Sequence, residues 1–158
     1  MRNVLALILI VICAVESYAD SLEELVEAMA WVESRNDPNQ HNIKENAVGY
    51  LQIRPIMIDE VNRLLKKEGS STRYTHEHAW NKECSIEIFE NWVRLNNYKD
   101  PEVIARNWNG GYRGIYKKST EKYWKKVKTA FLEEKPLDRR INFLSLYFKT
   151  EIGGSSVF

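Results

Sequence analysis

An apolar helical stripe that ends in a carboxylate is the feature of this chain that most constrains its fold. Apolar residues recur at helical spacing near the start of the chain: Leu22, Leu25, Val26, Met29 and Val32. Glu33 lies four residues after Met29 and seven after Val26, so it shares their face of the helix. Ser21 and Glu24 form a capping box, which predicts where this helix begins. The segment therefore predicts a helix that packs one face into a core and carries a carboxylate at its end.

Glu33 has two interpretations on these grounds. Burial disfavours the ionised form of a carboxyl group and raises its pKa, which suits a general acid that operates near neutral pH. Alternatively, Glu33 ends the helix and turns to water. Spacing leaves both open, because carboxylates with shifted pKa values also occur in structural ion pairs.

The N-terminus has the pattern of an export signal. Met1 and Arg2 give a short positive start, and residues 4–15 form an apolar run. Residues 17–19 read Ser-Tyr-Ala, a small-x-small cleavage site, and the run is short for a membrane span. We therefore predict that residues 1–19 are a cleaved signal peptide. The predicted location is the periplasm, the cell envelope or the outside of the cell.

The remaining chain is expected to form one domain, residues 20–135, followed by a C-terminal extension, residues 136–158. Removal of the signal leaves Cys84 as the single cysteine, so an intrachain disulfide is excluded. Further helices are predicted from caps and apolar spacing: from Pro55, over about Lys82 to Asn96, from Asp100 to Gly110, and from Ser119 or Thr120 to Pro136. The fold class is therefore mainly α, and residues 141–148 are either a strand or a last packing segment.

Charge is uneven along the chain, although the formal net charge is only +1. Residues 20–105 carry 10 Lys or Arg against 16 Asp or Glu, whereas residues 106–149 carry 12 against 4. The basic half could face an anionic envelope polymer, and a solvated helix face explains the same pattern. Basic and aromatic residues do not interleave as nucleic-acid binding requires, so no nucleic-acid partner is expected. The three histidines lack ligand spacing, so neither a metal site nor another cofactor is predicted.

Four different short motifs follow one another along the chain: Glu33-Ser34 with Pro38, then Ala47-Val48-Gly49-Tyr50-Leu51-Gln52, then Asn107-Trp108-Asn109-Gly110-Gly111, and finally Thr120 to Val127. This order resembles the soluble lytic transglycosylases, relatives of goose-type lysozyme. That family carries Glu-Ser, Gly-Leu-Met-Gln, Ala-Tyr-Asn-Ala-Gly and Thr-x-x-Tyr-x-x-Lys-Val. The resemblance covers about residues 22–131. It implies a single lysozyme-like domain, of the α+β lysozyme superfamily, with little or no β-structure.

The resemblance also implies roles for individual residues. Glu33 takes the place of the catalytic acid and base, and Tyr123 matches the tyrosine that reaches it. The substrate-binding positions that it implies are Gln52, Tyr50, Trp108, Asn109 and Tyr123. Tyr50 and Leu51 replace Leu and Met of the family motif, so the wall of the cleft differs. Taken as residues alone, Trp108 and Tyr123 are equally well read as core, and Asn109 as the end of a helix.

The activity implied is that of a peptidoglycan lytic transglycosylase acting on the bond between N-acetylmuramic acid and N-acetylglucosamine. Asp37 lies in the turn before Pro38 and Asp59 in the predicted second helix, so no second carboxylate is expected beside Glu33. Glu33 would then act alone and give a 1,6-anhydro product. The alternatives are a hydrolytic goose-type muramidase and a non-catalytic peptidoglycan-binding protein. The expected partners are glycan strands, with a secretion or conjugation apparatus as one setting, and the expected state is a monomer.

Overall fold

A computed structural model describes residues 21–134 of the 158-residue chain. The predicted signal peptide, the predicted C-terminal extension and the apolar segment 141–148 lie outside the described residues. Side chains are described up to residue 131.

Within that range the chain forms five helices joined by short connections. Helix α1 is described over residues 21–34, and the others are α2 (Pro55–Glu68), α3 (Lys82–Leu95), α4 (Pro101–Gly110) and α5 (Lys118–Glu134). Two short 3₁₀ helices, His76–Trp80 and Gly114–Tyr116, precede α3 and α5. The mainly α fold predicted from the sequence is confirmed. None of the helices in this part of the chain is both long and apolar enough to span a membrane.

A small hairpin is the β-structure of the described residues. Strand β1 (His41–Asn42) pairs antiparallel with β2 (Ala47–Val48), and Asn42 lies opposite Ala47. Six residues separate the hairpin from α1, and its Asn42 and Glu45 line the same cavity as Glu33 at the end of that helix. Its two-residue strands fit the expectation of little or no β-structure.

The boundaries of α2, α3 and α4 agree with those predicted from caps and apolar spacing. Pro55 begins α2, the Asp100 side chain accepts a hydrogen bond from the Val103 amide at 3.0 Å, and α4 ends at Gly110. The prediction that Ser119 or Thr120 caps α5 is wrong, because the helix begins at Lys118. Thr120 is buried, and its hydroxyl donates to the carbonyls of Gly114 and Lys117 instead.

The core is built from the apolar faces of all five helices. In the α1 stripe, Leu25, Val26 and Met29 are buried as predicted, and Leu22 and Val32 are partly buried against the core. An aromatic cluster joins α3 to α4, where the Trp108 ring lies 5.0 Å from Phe89 and 5.2 Å from Trp92, both edge to face. Edge-to-face pairs add about 0.5–1.5 kcal/mol each beyond the area that they bury. This cluster therefore holds α4 against α3 beneath the candidate site.

A buried arginine connects α4 to α5. Arg106 is ion-paired with Glu102 at 2.7 Å, and it donates to the Thr120 hydroxyl at 3.1 Å and to the Lys117 carbonyl at 3.2 Å. Because a buried charge is stable only when its donors are satisfied, these bonds fix the start of α5 relative to α4. Tyr123, one turn further along α5, is positioned by the same contacts.

Candidate active site

The end of α1 is attached to the turn that follows the hairpin. Ser34 is buried, and its hydroxyl lies 2.8 Å from the Tyr50 carbonyl and 3.1 Å from the Ala30 carbonyl. A single hydroxyl therefore couples α1 to the segment of residues 49–53. The bond holds the last helical turn, which carries Glu33, at a fixed place on the domain surface.

The turn itself requires glycine at its first position. Gly49 has a φ of 78°, in the left-handed region, and a Cβ built there would lie 1.8 Å from the Ala79 carbonyl oxygen. Only a residue without a side chain allows the backbone to approach the 3₁₀ helix so closely. The glycine of the second sequence motif is thus explained by packing.

Gln52 is held in an uncommon backbone conformation with its side chain in the cavity wall. Its φ is 47°, which is rare for a residue other than glycine and is often found at functional sites. Its side-chain nitrogen donates to the carbonyls of Gln40 and Gly49, both at 3.0 Å. These bonds fix the amide so that its oxygen is the atom left to accept a hydrogen bond from a ligand.

Glu33 is partly exposed at the wall of a small cavity, and its pKa is strongly shifted. The pKa of Glu33 is raised to about 7, mainly by burial and in smaller part by the nearby carboxylate of Glu45. The Tyr123 hydroxyl and the positive charges of Arg54 and Lys126 lower it in part. A carboxyl group with this pKa is substantially protonated at neutral pH, so it can donate a proton.

Tyr123 lies against Glu33, as the resemblance implied. Its side chain is buried, and burial together with the Glu33 carboxylate raises the pKa of its phenol well above the ordinary value. Within the described residues, the Tyr123 hydroxyl forms no hydrogen bond that meets full geometric criteria. It faces Glu33, and it lowers the pKa of that carboxyl group. The two side chains come from helices far apart in sequence, and the Arg106 and Ser34 contacts bring them together.

The cavity beside Glu33 has a volume of about 100 Å³, and a larger one of about 590 Å³ lies next to it. The two share part of their lining: Arg54, Met57, Trp108 and Asn109. They therefore adjoin, and together they are called the cleft. The larger part is lined by amide and aromatic side chains, among them Tyr98, Asn107 and the exposed Tyr112.

The implied substrate-binding residues differ in their exposure. Gln52 and Asn109 line the cleft, and Asn109 is exposed. Trp108 also lines it, but its side chain is only 3% exposed and its indole nitrogen donates to the Leu51 carbonyl at 3.4 Å. Trp108 is thus a core residue whose edge forms part of the cleft floor.

Tyr50 lies elsewhere. Its ring is buried beneath Lys82, whose ammonium is 4.8 Å from the ring centroid, and it lines neither part of the cleft. What Tyr50 gives to the site is its carbonyl oxygen, which accepts the Ser34 hydrogen bond.

The expectation that no second carboxylate lies beside Glu33 is wrong. Glu45, in the turn of the β1–β2 hairpin, lines the same small cavity and acts on the charge of Glu33. Asp37, by contrast, accepts a hydrogen bond from the Asn39 amide at 2.8 Å and has the turn role predicted for it. Glu45 was missed because the hairpin that carries it was not predicted. Its neighbour in the cavity, Asn42, was missed for the same reason.

Among the side chains that the structure describes, no three His, Cys, Asp or Glu residues are grouped so that they could hold a metal ion.

The chain is similar to lysozymes. It is 36% identical to invertebrate-type lysozyme 2 of Caenorhabditis elegans over 50% of this chain and 63% of that protein. It is 32% identical to invertebrate-type lysozyme 3 of the same organism, over 51% and 64%.

The alignments with both relatives are partial. The chain spans a little under two thirds of the length of each relative. No family model matches the sequence. The similarity supports a lysozyme-like relationship. It does not single out the goose-type or the soluble lytic transglycosylase subtype that the motifs resemble.

Proposed function

We propose that the chain is a glycosidase that cleaves peptidoglycan, with Glu33 as its general acid. The observation that carries the proposal is the position of Glu33: partly buried, facing Tyr123, with a pKa of about 7, in the wall of a cleft. The similarity to lysozymes supports it. A protein that only bound the polymer would have no use for a group tuned to lose its proton near neutral pH.

The cleft suits a glycan strand. Asn109 and Gln52 present amides to hydroxyl and N-acetyl groups, and the exposed ring of Tyr112 offers a flat face to a pyranose. We propose the bond from N-acetylmuramic acid to N-acetylglucosamine as the one that is cut. The predicted signal peptide would deliver the enzyme to that polymer in the cell envelope.

The first step needs Glu33 alone. Its proton passes to the glycosidic oxygen, the bond to the anomeric carbon breaks, and its electron pair stays with the departing hydroxyl. The N-acetyl group of the sugar can stabilise the positive charge that develops, one of the exceptions to the two-carboxylate rule. Glu33 is then an ionised base beside the reacting carbon.

Two nucleophiles lead to two products. If the 6-hydroxyl of the same sugar attacks, Glu33 takes its proton and a 1,6-anhydro end is formed. This is the transglycosylase reaction, which the motifs favour, and it needs no second carboxylate. If water attacks, the product is a reducing end, and a second carboxylate is expected to activate the water or to act as nucleophile.

Glu45 favours hydrolysis as the second candidate, because it places a second carboxylate in the cavity. The Glu45→Gln variant separates the two. A transglycosylase should keep most of its rate and still release ends that resist borohydride and are lighter by one water in mass spectrometry. If the enzyme is a hydrolase, the variant should lose about a hundredfold or more of the rate, and the wild type should release reducible ends.

A further inference from the structure

A second cavity lies between the end of α1 and the middle of α5. We call it the α1–α5 cavity; its volume is about 370 Å³, and its lining is Trp31, Val32, Arg35, Lys125, Lys126, Thr129 and Ala130. Three of these seven residues are cations and none is acidic. The cavity shares no lining residue with the cleft described above. Its size falls in the range of about 300–1,000 Å³ found for ligand sites.

The cations of this cavity form no ion pair with the side chains that the structure describes. Within residues 21–131, neither Arg35, Lys125 nor Lys126 lies at ion-pair distance from a carboxylate, although the charge of Lys126 acts on Glu33. The Arg35 guanidinium lies over the Trp31 ring, 4.8 Å from its centroid. Arg35 also has a left-handed φ of 59°, so the chain reverses directly after α1 at this residue. Three unpaired positive charges around one concave surface attract a negatively charged ligand.

The cavity adjoins the reacting centre. Val32 precedes Glu33 in the chain, and the charge of Lys126 acts on the Glu33 carboxyl. A ligand group bound here would therefore lie close to Glu33. This proximity favours a group that is carried by the substrate of Glu33 itself.

We propose that the α1–α5 cavity binds the acidic stem peptide of the peptidoglycan strand, an inference that rests on the proposed function. In peptidoglycan the N-acetylmuramic acid unit bears a short peptide with free carboxylates and alanine methyl groups. The carboxylates would pair with Arg35 and Lys125, and the methyl groups would contact Val32 and Ala130. Charge-assisted hydrogen bonds of this kind are about twice as strong as neutral ones. The simpler explanation, a solvated basic face, requires no ligand, and the experiment must separate the two.

The test uses two substrates and the Arg35→Ala and Lys125→Ala variants. One substrate is uncross-linked glycan with its stem peptides, and the other is the same glycan after an amidase has removed them. We expect each variant to raise KM about tenfold on the peptide-bearing glycan, with KM on the bare glycan unchanged. Lys67→Ala, which removes an exposed cation from α2, should alter neither value. A higher salt concentration should weaken the preference of the wild type for the peptide-bearing glycan over the bare glycan.

Equal effects on both glycans, or none on either, would overturn the inference while leaving the proposed function intact. If the wild type cleaves neither glycan, the proposed function fails. Calorimetry with a soluble stem tetrapeptide then decides the inference, because binding that is lost in the Arg35→Ala/Lys125→Ala double variant supports it and absent binding refutes it. Preferential binding of a glycerol-phosphate oligomer would instead assign the cavity to a phosphate-bearing wall polymer and overturn the peptide assignment.

Discussion

Glu33 lies between two walls that are built in different ways. One wall is helical and buried, and it consists of Ser34 on α1 and Tyr123 on α5. The other is the β1–β2 hairpin, whose Asn42 and Glu45 are exposed to solvent. The buried wall fixes the carboxyl group, and burial is the main cause of its raised pKa, whereas the hairpin wall lines the cavity beside it.

The difference predicts how each wall responds to substitution. A change that removes packing or a hydrogen bond from the buried wall should alter stability as well as activity. A change in the hairpin wall, such as Glu45→Gln, should alter the reaction and leave stability within about 0.5 kcal/mol, as is usual for surface positions. The predictions below test the other side of this contrast, beginning with the residue between the two walls.

The largest effect is expected for Glu33→Gln. The variant keeps the shape of the side chain and removes the proton that the reaction needs, so clearing of a peptidoglycan suspension should slow by about a hundredfold or more. Glu23→Gln, an exposed substitution on the same helix, is the matched control and should clear at the wild-type rate. A Glu33→Gln protein that is folded by circular dichroism and nearly fully active would remove Glu33 from the mechanism.

The same variant should be more stable than the wild type at neutral and higher pH. The pKa of Glu33 is raised in the folded protein to about 7, so folding favours its protonated form. The stabilisation that protonated Glu33 gives is fully present below the pKa that its side chain has in the unfolded chain. It is lost as the pH rises towards and through 7. Glutamine does not titrate, so the advantage of the variant should grow to a few kcal/mol between about pH 4 and pH 8. Urea unfolding at both pH values measures it, and a constant difference would contradict the raised pKa.

The contrast between the walls also explains what the sequence predicts and what it does not. The α1 stripe, the Asp100 cap and the end of α4 at Gly110 depend on neighbouring residues, so local patterns predict them. Thr120 has the local pattern of a cap, but its hydroxyl bonds to Gly114, and this tertiary contact overrides the pattern. Trp108 could not be assigned from spacing, because its role depends on packing against α3.

Glu45 shows the same limit in the site itself. It lies in the turn of a hairpin of two-residue strands, which is too short to leave an alternating pattern in the sequence. Its position beside Glu33 depends on where the hairpin folds after α1. The position of Glu33 on the apolar stripe was therefore predictable from one helix, whereas the second carboxylate needed three-dimensional structure.

A smaller effect is expected for Ser34→Ala in the buried wall. The substitution removes the donor to the Tyr50 carbonyl, so a buried acceptor is left unsatisfied and stability should fall by about 1–3 kcal/mol. Activity should fall with it, because the last turn of α1 loses its attachment to residues 49–53. Thermal unfolding and peptidoglycan clearing measure the two effects. Ser71→Ala, at an exposed loop position, should change neither.

The smallest change in stability is expected for Tyr123→Phe, which tests whether the buried wall sets the pKa of Glu33. The Tyr123 hydroxyl lowers that pKa, so its removal should raise it and move the alkaline limb of kcat/KM to higher pH. Stability should change by less than about 1 kcal/mol, because the hydroxyl that is lost has no acceptor at full geometry within the described residues. Tyr116→Phe, at a tyrosine that is 78% exposed, is the matched control and should leave both the pH profile and stability unchanged. If Tyr123→Phe destabilises the protein by several kcal/mol and the pH profile stays where it was, Tyr123 serves the core alone, and the pKa of Glu33 is set by burial and the charges around it.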